Sequence, residues 1–272
     1  MSSPALRPPA VAGRFYPGRP DSLGRQLDQF LGNEPEKIQD ALGCVVPHAG
    51  YMYSGQVAGA VFRKLPKRST YLILCPNHTG RGRPLAVMAN TIWRTPLGEI
   101  AADPLMGGRL LRSCPALEED SAAHRSEHAI EVQQPFLQTL QSKLHILPIA
   151  VGTSDFYALR GLGEALAEVI GAQEGKVLIV ASSDMNHYES DAVTRVKDHK
   201  AIDRVLAMDA RGLWEVVIAE DIGMCGFGPA VIMLTAAKLL GATSATLVKY
   251  ATSGDVSGDY EAVVGYAGII VQ

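Results

Sequence analysis

The sequence has no apolar run long enough to cross a bilayer; the longest, from Ala230 to Leu240, is broken by Lys238. It does not open on a basic stretch feeding an apolar core, so the first residues do not read as a signal peptide. Aromatic residues make up 6% of the 272, too few for a surface built to stack on bases or sugars. Charge of one sign is also missing: 25 Lys+Arg stand against 28 Asp+Glu, a net −3. That balance supplies no pull toward nucleic acid or anionic membranes. The four cysteines, Cys44, Cys75, Cys114 and Cys225, form no CxxC pair. A chain of this length needs no disulfide staples, so reduced thiols in the cytosol are expected. No GxxxxGK[ST], no GxGxxG after a strand and no GxSxG occurs, which leaves phosphate-loop, dinucleotide-binding, kinase and serine-hydrolase readings without a motif. The expectation is a soluble cytoplasmic protein with neither nucleic-acid nor membrane partners.

What is present is a globular composition, 47% hydrophobic and 19% charged. Short β-rich runs alternate with helical periods. Cys44 to Pro47, Tyr71 to Cys75, His145 to Ala150 and Lys176 to Ala181 read as buried strands. Leu85 to Met88 and the stretch around Trp93 read as a strand pair beside the second of these. Leu247 to Tyr250 and Ala262 to Val271 close the chain as strands. Helices are expected from an N-cap at Ser54 through Gly55 to Leu65, over Asp103 to Arg112, over Ser126 to Leu140, and over Phe156 to Ile170 behind a Thr-Ser-Asp cap. Two or three more fall between Asp191 and Leu240. Strands separated by helix-length segments imply βαβ units. The fold class is therefore α/β, with a mixed, mostly parallel sheet flanked by helices, in a single domain over 1–272.

Three polar clusters follow strands: VVPHAGY with His48, LCPNHTG with His78, and VASSDMNHY with Asp184 and His187. Open α/β sheets bind ligands beyond the carboxyl ends of their strands, so these groups can converge there. Imidazoles arriving from separate strands suit Fe, Cu or Zn, and an open coordination position would make such a site catalytic. Cys225 lies in GMCGFGP ahead of a long apolar helix, where Gly223, Gly226 and Gly228 let the backbone approach a ligand. A thiol at a helix N-terminus favours the thiolate, as ligand or nucleophile. His124 and His128 are four apart with Glu127 between them, without the HExxH order of zinc peptidases. His128 or Glu127 is expected to hydrogen-bond a ligand rather than to bind metal itself. Tyr53 could reach the site as a donor or serve as a wall; His145 and His199 read as structural.

The blocks RPPAVAGRFYPG, VVPHAGYMYSG, PNHTG, SEHAIEVQQPFLQ, SSDMNHY and GMCGFGP, in this order, give the chain a specific resemblance to the Memo family, whose bacterial and archaeal members are called AmmeMemoRadiSam system protein B. The resemblance covers nearly the whole chain. It implies an α/β fold similar to the class III extradiol (LigB-like) dioxygenases, which use non-haem Fe(II). It implies a metal pocket of His48, His78 and Cys225, with His187 as fourth ligand or acid/base and Asp184 beside it. Cys225 would stand where the dioxygenases carry a carboxylate, and a thiolate favours Cu or Zn as well as Fe(II). AMMECR-like and radical SAM proteins are the partners the resemblance suggests, beside an unknown small molecule or peptide.

Three functions compete on these residues. The first is a metal-dependent oxidoreductase built on His48, His78, Cys225 and His187. The second is a metal-free acyl-transfer enzyme with Cys225 as nucleophile, His187 as base and Asp184 as orienter. The third is a non-catalytic module that binds a peptide or small ligand.

Overall fold

A computed structural model describes residues 4–32, 37–172 and 177–272. In chain order its elements are β1 (Ala5–Arg7), α1 (Pro20–Leu31), β2 (Gly43–Val46), α2 (Tyr51–Phe62), β3 (Thr70–Pro76), β4 (Leu85–Val87), β5 (Thr91–Thr95), β6 (Gly98–Ala102), α3 (Pro104–Ser113), β7 (Glu118–Glu119), a 3-10 turn (Glu131–Gln133), α4 (Gln134–Leu140), β8 (His145–Val151), α5 (Phe156–Gly171), β9 (Val177–Ser182), β10 (His187–Glu189), α6 (Asp191–Leu206), α7 (Ala210–Ala219), α8 (Phe227–Leu239), β11 (Ala245–Thr252), α9 (Gly254–Ser257) and β12 (Val263–Val271).

The strands join one sheet whose centre, β6-β8-β3-β9-β2, is parallel throughout. Antiparallel β12 borders β2 and carries both β11 and β10. The sheet is thus mixed and mostly parallel at its core. Both faces are covered, which is why the central strands read as continuous apolar runs. On β3, Tyr71, Ile73 and Cys75 enter one core while Leu72 and Leu74 enter the other. On β9, Leu178 and Val180 oppose Val177, Ile179 and Ala181 in the same way. Among the described residues no helix is long and apolar enough to cross a membrane.

The helices follow local chemistry where a cap is present. Asp155 accepts from the backbone N–H of Ala158 and starts α5, whose Leu159, Leu162, Leu166 and Val169 fall on one buried stripe. α8 is buried on nearly every side, between the sheet and α5 and α7, and is correspondingly apolar all round. It completes a set of three helices between Asp191 and Leu240.

Other expectations need correction. α2 starts at Tyr51, one turn before Ser54. Its cap comes from elsewhere in the chain: the Tyr51 N–H donates to the Phe15 carbonyl at 2.8 Å. Ser54 is buried inside the helix and donates to the Ala49 carbonyl. Ser126 to Leu140 is not one helix. Glu127 accepts the backbone N–H groups of His128 and Ala129, which holds that stretch in turns until the 3-10 turn and α4 begin. β4 and β5 do not pair with each other: β4 runs along β8, and β5 forms a hairpin with β6. Lys176, at the start of the third buried run, lies outside the described residues.

Candidate metal centre

β3, β9 and β2 are neighbours, so their carboxyl ends bring His78, Asp184 and His48 to one edge of the sheet. This is where parallel α/β sheets place ligands. The turns ahead of the 3-10 helix add Glu127 and His128, and the segment before α8 adds Cys225. One ring nitrogen from each of His48, His78 and His128 lies within 4.8 Å of the others. His48 is buried, His128 half-buried and His78 exposed. The ring centroids stand 5.1 Å apart for His48 and His78, and 4.6 Å for the stacked pair His78 and His128.

The hydrogen bonds fix which nitrogen of His48 and of His78 keeps its lone pair. The Ser182 hydroxyl donates to the Ala129 carbonyl at 2.8 Å, which uses its one proton. Gln133 Nε2 donates to Ser182 Oγ. His48 Nδ1, 2.9 Å from it, must then be the donor, and Nε2 keeps its lone pair. His78 Nδ1 likewise donates to Glu127 Oε1 at 2.9 Å, leaving Nε2. His187 Nδ1 donates to the Gly223 carbonyl at 2.8 Å. A ligand histidine held through Nδ1 by a carboxylate or neutral oxygen is the usual support of a protein-bound metal.

Glu127 is fully buried and saturated, accepting also from the backbone N–H groups of His78, His128 and Ala129. Burial acts to raise its pKa, but the hydrogen bond and charge of His78 outweigh it and hold the carboxyl below its ordinary range. His78 is the reciprocal case: burial acts to lower it, and Glu127 raises it overall. Burial pushes His48 well down, with the neighbouring His78, His128 and His187 adding to the fall. Burial also lowers His128, to about 4. The buried Asp184 accepts from the backbone N–H groups of His48 and Ala49 at 2.7 and 3.2 Å, yet burial still raises it.

Cys225 Sγ lies 3.2 Å from His48 Nε2, so the sulfur adjoins the cluster through that nitrogen. Part of the residue meets solvent. The thiol does not favour the thiolate: burial pushes it well up, and Asp184 adds to the shift. The glycines around it serve close chain packing rather than a ligand. A β-carbon at Gly226 would come within 2.4 Å of the Ser182 carbonyl, and one at Gly223 within 3.0 Å of the His187 N–H nitrogen. The Cys225–His187–Asp184 relay is not formed. The imidazole next to the sulfur is His48, and His187 is bonded to Gly223 rather than to a carboxylate. Tyr53 sits half-buried on the first turn of α2. His128 stands in the nitrogen cluster itself, not only beside it. A cavity of about 370 Å³ opens onto His78 and Cys225, with Asn77, Thr153, Ser154 and Phe227 on its walls.

The sequence reading missed the base of this cluster. Arg7 is buried, pairs with Glu131, stacks over Trp93 at 4.4 Å, and donates to the carbonyls of Glu127 and His124 at 2.5 and 3.3 Å. Glu131 further accepts from Tyr16 and from the N–H groups of Ala10 and Val11. The signal was available: Arg7 is the one charge in PALRPPAVAG, and Glu131 stands between apolar neighbours in AIEV. His124 faces inward and meets the Ala86 carbonyl, apart from the cluster.

A three-imidazole cluster, with the tautomers of His48 and His78 fixed, at the carboxyl edge of an open α/β sheet, defines a candidate metal-binding protein of the α/β class. The profile of the Memo-like protein family matches residues 7–270, and the chain belongs to that family. It is 44% identical over 268 residues to a MEMO1 family protein of Methanosarcina barkeri, covering 98% of this chain and all of that one. A MEMO1 family protein of Methanosarcina mazei is 45% identical, with 98% and 99% covered. Among solved structures, an uncharacterized protein of Escherichia coli K12 superposes with a TM-score of 0.59 at 13% identity, over 84% of this chain and 98% of that one. That last likeness concerns the fold alone.

Proposed function

We propose that the chain is a metal-dependent redox protein acting on a small molecule. The observation that carries this reading is the convergence of ring nitrogens of His48, His78 and His128 within 4.8 Å, together with the Ser182 and Glu127 contacts that leave Nε2 of the first two with its lone pair. Those residues fit a divalent metal, with Cys225 Sγ able to join through its place beside His48. Fe(II) is the preferred ion; Cu or Zn would suit a site that includes sulfur. Such a metal supplies Lewis acidity and, for Fe or Cu, one-electron chemistry.

The protein's own groups have distinct tasks. Glu127 and Ser182 orient the histidines. His187, with Nδ1 committed to Gly223, offers Nε2 to take or give a proton at the edge of the cluster. The cavity beside His78 and Cys225 admits the substrate.

The test is anaerobic titration of untagged protein with Fe(II), Cu and Zn. One ion per chain is expected. His48→Ala and His78→Ala should each cost more than the roughly 10–100-fold typical of an outer-sphere partner. Stoichiometric binding that survives both substitutions would overturn the assignment. Binding that ignores Cys225→Ser would remove the sulfur from it.

A further inference from the structure

Tyr188 follows His187 in β10 with its backbone in the left-handed region, φ 61°. The pairing with β12 slips at this residue: His187 opposes Val264, and Glu189 opposes Val263. A bulge of this kind re-aims a side chain. Glycine takes a left-handed φ freely, whereas a bulky aromatic takes it only when its surroundings compel it. The flanks compel it here. The Asn186 N–H is held by Asp198 at 2.8 Å, the Asn186 side chain by Glu189 at 2.6 Å, and His187 Nδ1 by Gly223 at 2.8 Å.

The ring repays none of this inside the fold. Tyr188 is 78% exposed, and its ring contact within the chain is edge-on to His187, at 5.5 Å between centroids. The exposed ring therefore stands beside the His187 imidazole, where a ligand that reaches His187 from solvent can meet it.

We infer that Tyr188 contacts the substrate, its ring receiving a flat aromatic or otherwise unsaturated face of the molecule on which His187 acts. This rests on the proposed role of His187 and adds the substrate class. Aromatic faces paired on a tyrosine ring gain from stacking beyond their buried area.

The test compares benzoate with cyclohexanecarboxylate, which share a carboxylate and differ in planarity. Affinities are measured by ligand-observed NMR on both the zinc-loaded and the metal-free protein. Wild type should favour benzoate by roughly two- to tenfold. Tyr188→Ala should erase that preference, and Tyr188→Phe should keep it. Tyr188→Gly should erase it while raising the melting temperature, because glycine relieves the left-handed backbone. Equal binding of the two probes by wild type, a preference that survives Tyr188→Ala, or no binding of either probe overturns the proposal. So does a lower melting temperature for Tyr188→Gly, which would make the ring part of the fold. Failure of zinc to bind would instead refute the metal reading, and the metal-free titrations would still report on Tyr188.

Discussion

The two halves of the histidine cluster are held in opposite ways. In the loop half, His78 and His128 depend on one carboxylate, Glu127, and His78 is open to solvent. In the strand half, His48 is buried and leans on the neutral oxygen of Ser182. The electrostatics follow. Glu127 raises His78, and burial lowers His48, although both residues sit at equivalent places two residues beyond a strand. The buried carboxylates divide likewise: Glu127 is held low by an imidazole, and Asp184, accepting backbone N–H groups, is raised by its burial. Position on the sheet brings the donors together; the partner at Nδ1 decides what charge each can carry.

The largest effect should come from removing what anchors the loop half. Arg7→Met leaves Glu131 buried without its cation and frees the Glu127 carbonyl. Breaking one side of a buried ion pair costs about 3–5 kcal/mol, to be read from urea unfolding. Zinc affinity should fall with it. An unchanged unfolding midpoint would mean that Tyr16 and the backbone hold Glu131 without Arg7. Next comes the partner itself. Glu127→Gln should weaken zinc binding roughly 10–100-fold, and Ser182→Ala should weaken it less, because a charged acceptor holds an N–H more strongly than a neutral one. Equal losses for the two variants would dissolve the contrast between the halves.

The sequence made the strand half easier to read than the loop half. Strands rich in valine, leucine and isoleucine that end in Pro-His or Ser-Asp mark both the buried sheet and its functional edge. The parallel order β3-β9-β2 then places Asp184 and His48 side by side and brings His78 of the loop half to the same edge. The loop half is built from contacts distant in sequence. Glu127 reaches 49 residues back to His78, and Arg7 pairs with Glu131 across 124. The sequence over Ser126 to Leu140 predicts one helix, but Glu127 satisfies the N–H groups of His128 and Ala129 and displaces its start. The start of α2 was misplaced for a similar reason, since a carbonyl from Phe15 supplies its cap. Periodicity reports burial along one element; it carries no information about a side chain that replaces a helix's own hydrogen bonds.

The smallest of the expected effects probes what stands behind the strand half. Asp198 on α6 is fully buried; it accepts from the Asn186 N–H at 2.8 Å and from the Tyr250 hydroxyl at 2.6 Å. Asn186 accepts from the Gly223 N–H, and Gly223 accepts from His187, so a chain of bonds runs from this carboxylate to the imidazole. Burial raises Asp198 from 3.8 to about 6, against the lowering pull of Tyr250 and Asn186. Its folded pKa lies above its unfolded one, so between these values the folded state binds more protons. Stability from this group is therefore full below about pH 4 and is lost as pH rises through about 6. Asp198→Asn cannot titrate. The stability difference, wild type minus variant, should move in favour of wild type by up to about 2 kcal/mol between pH 7.5 and pH 4.5. His48 pulls the other way, because an imidazole buried neutral loses stability on acidification, but it is common to both proteins and cancels in the difference. Thermal unfolding of the pair at both pH values measures the shift. A difference that stays flat would place the Asp198 carboxyl in contact with water, and the strand half would then have no buried charge behind it.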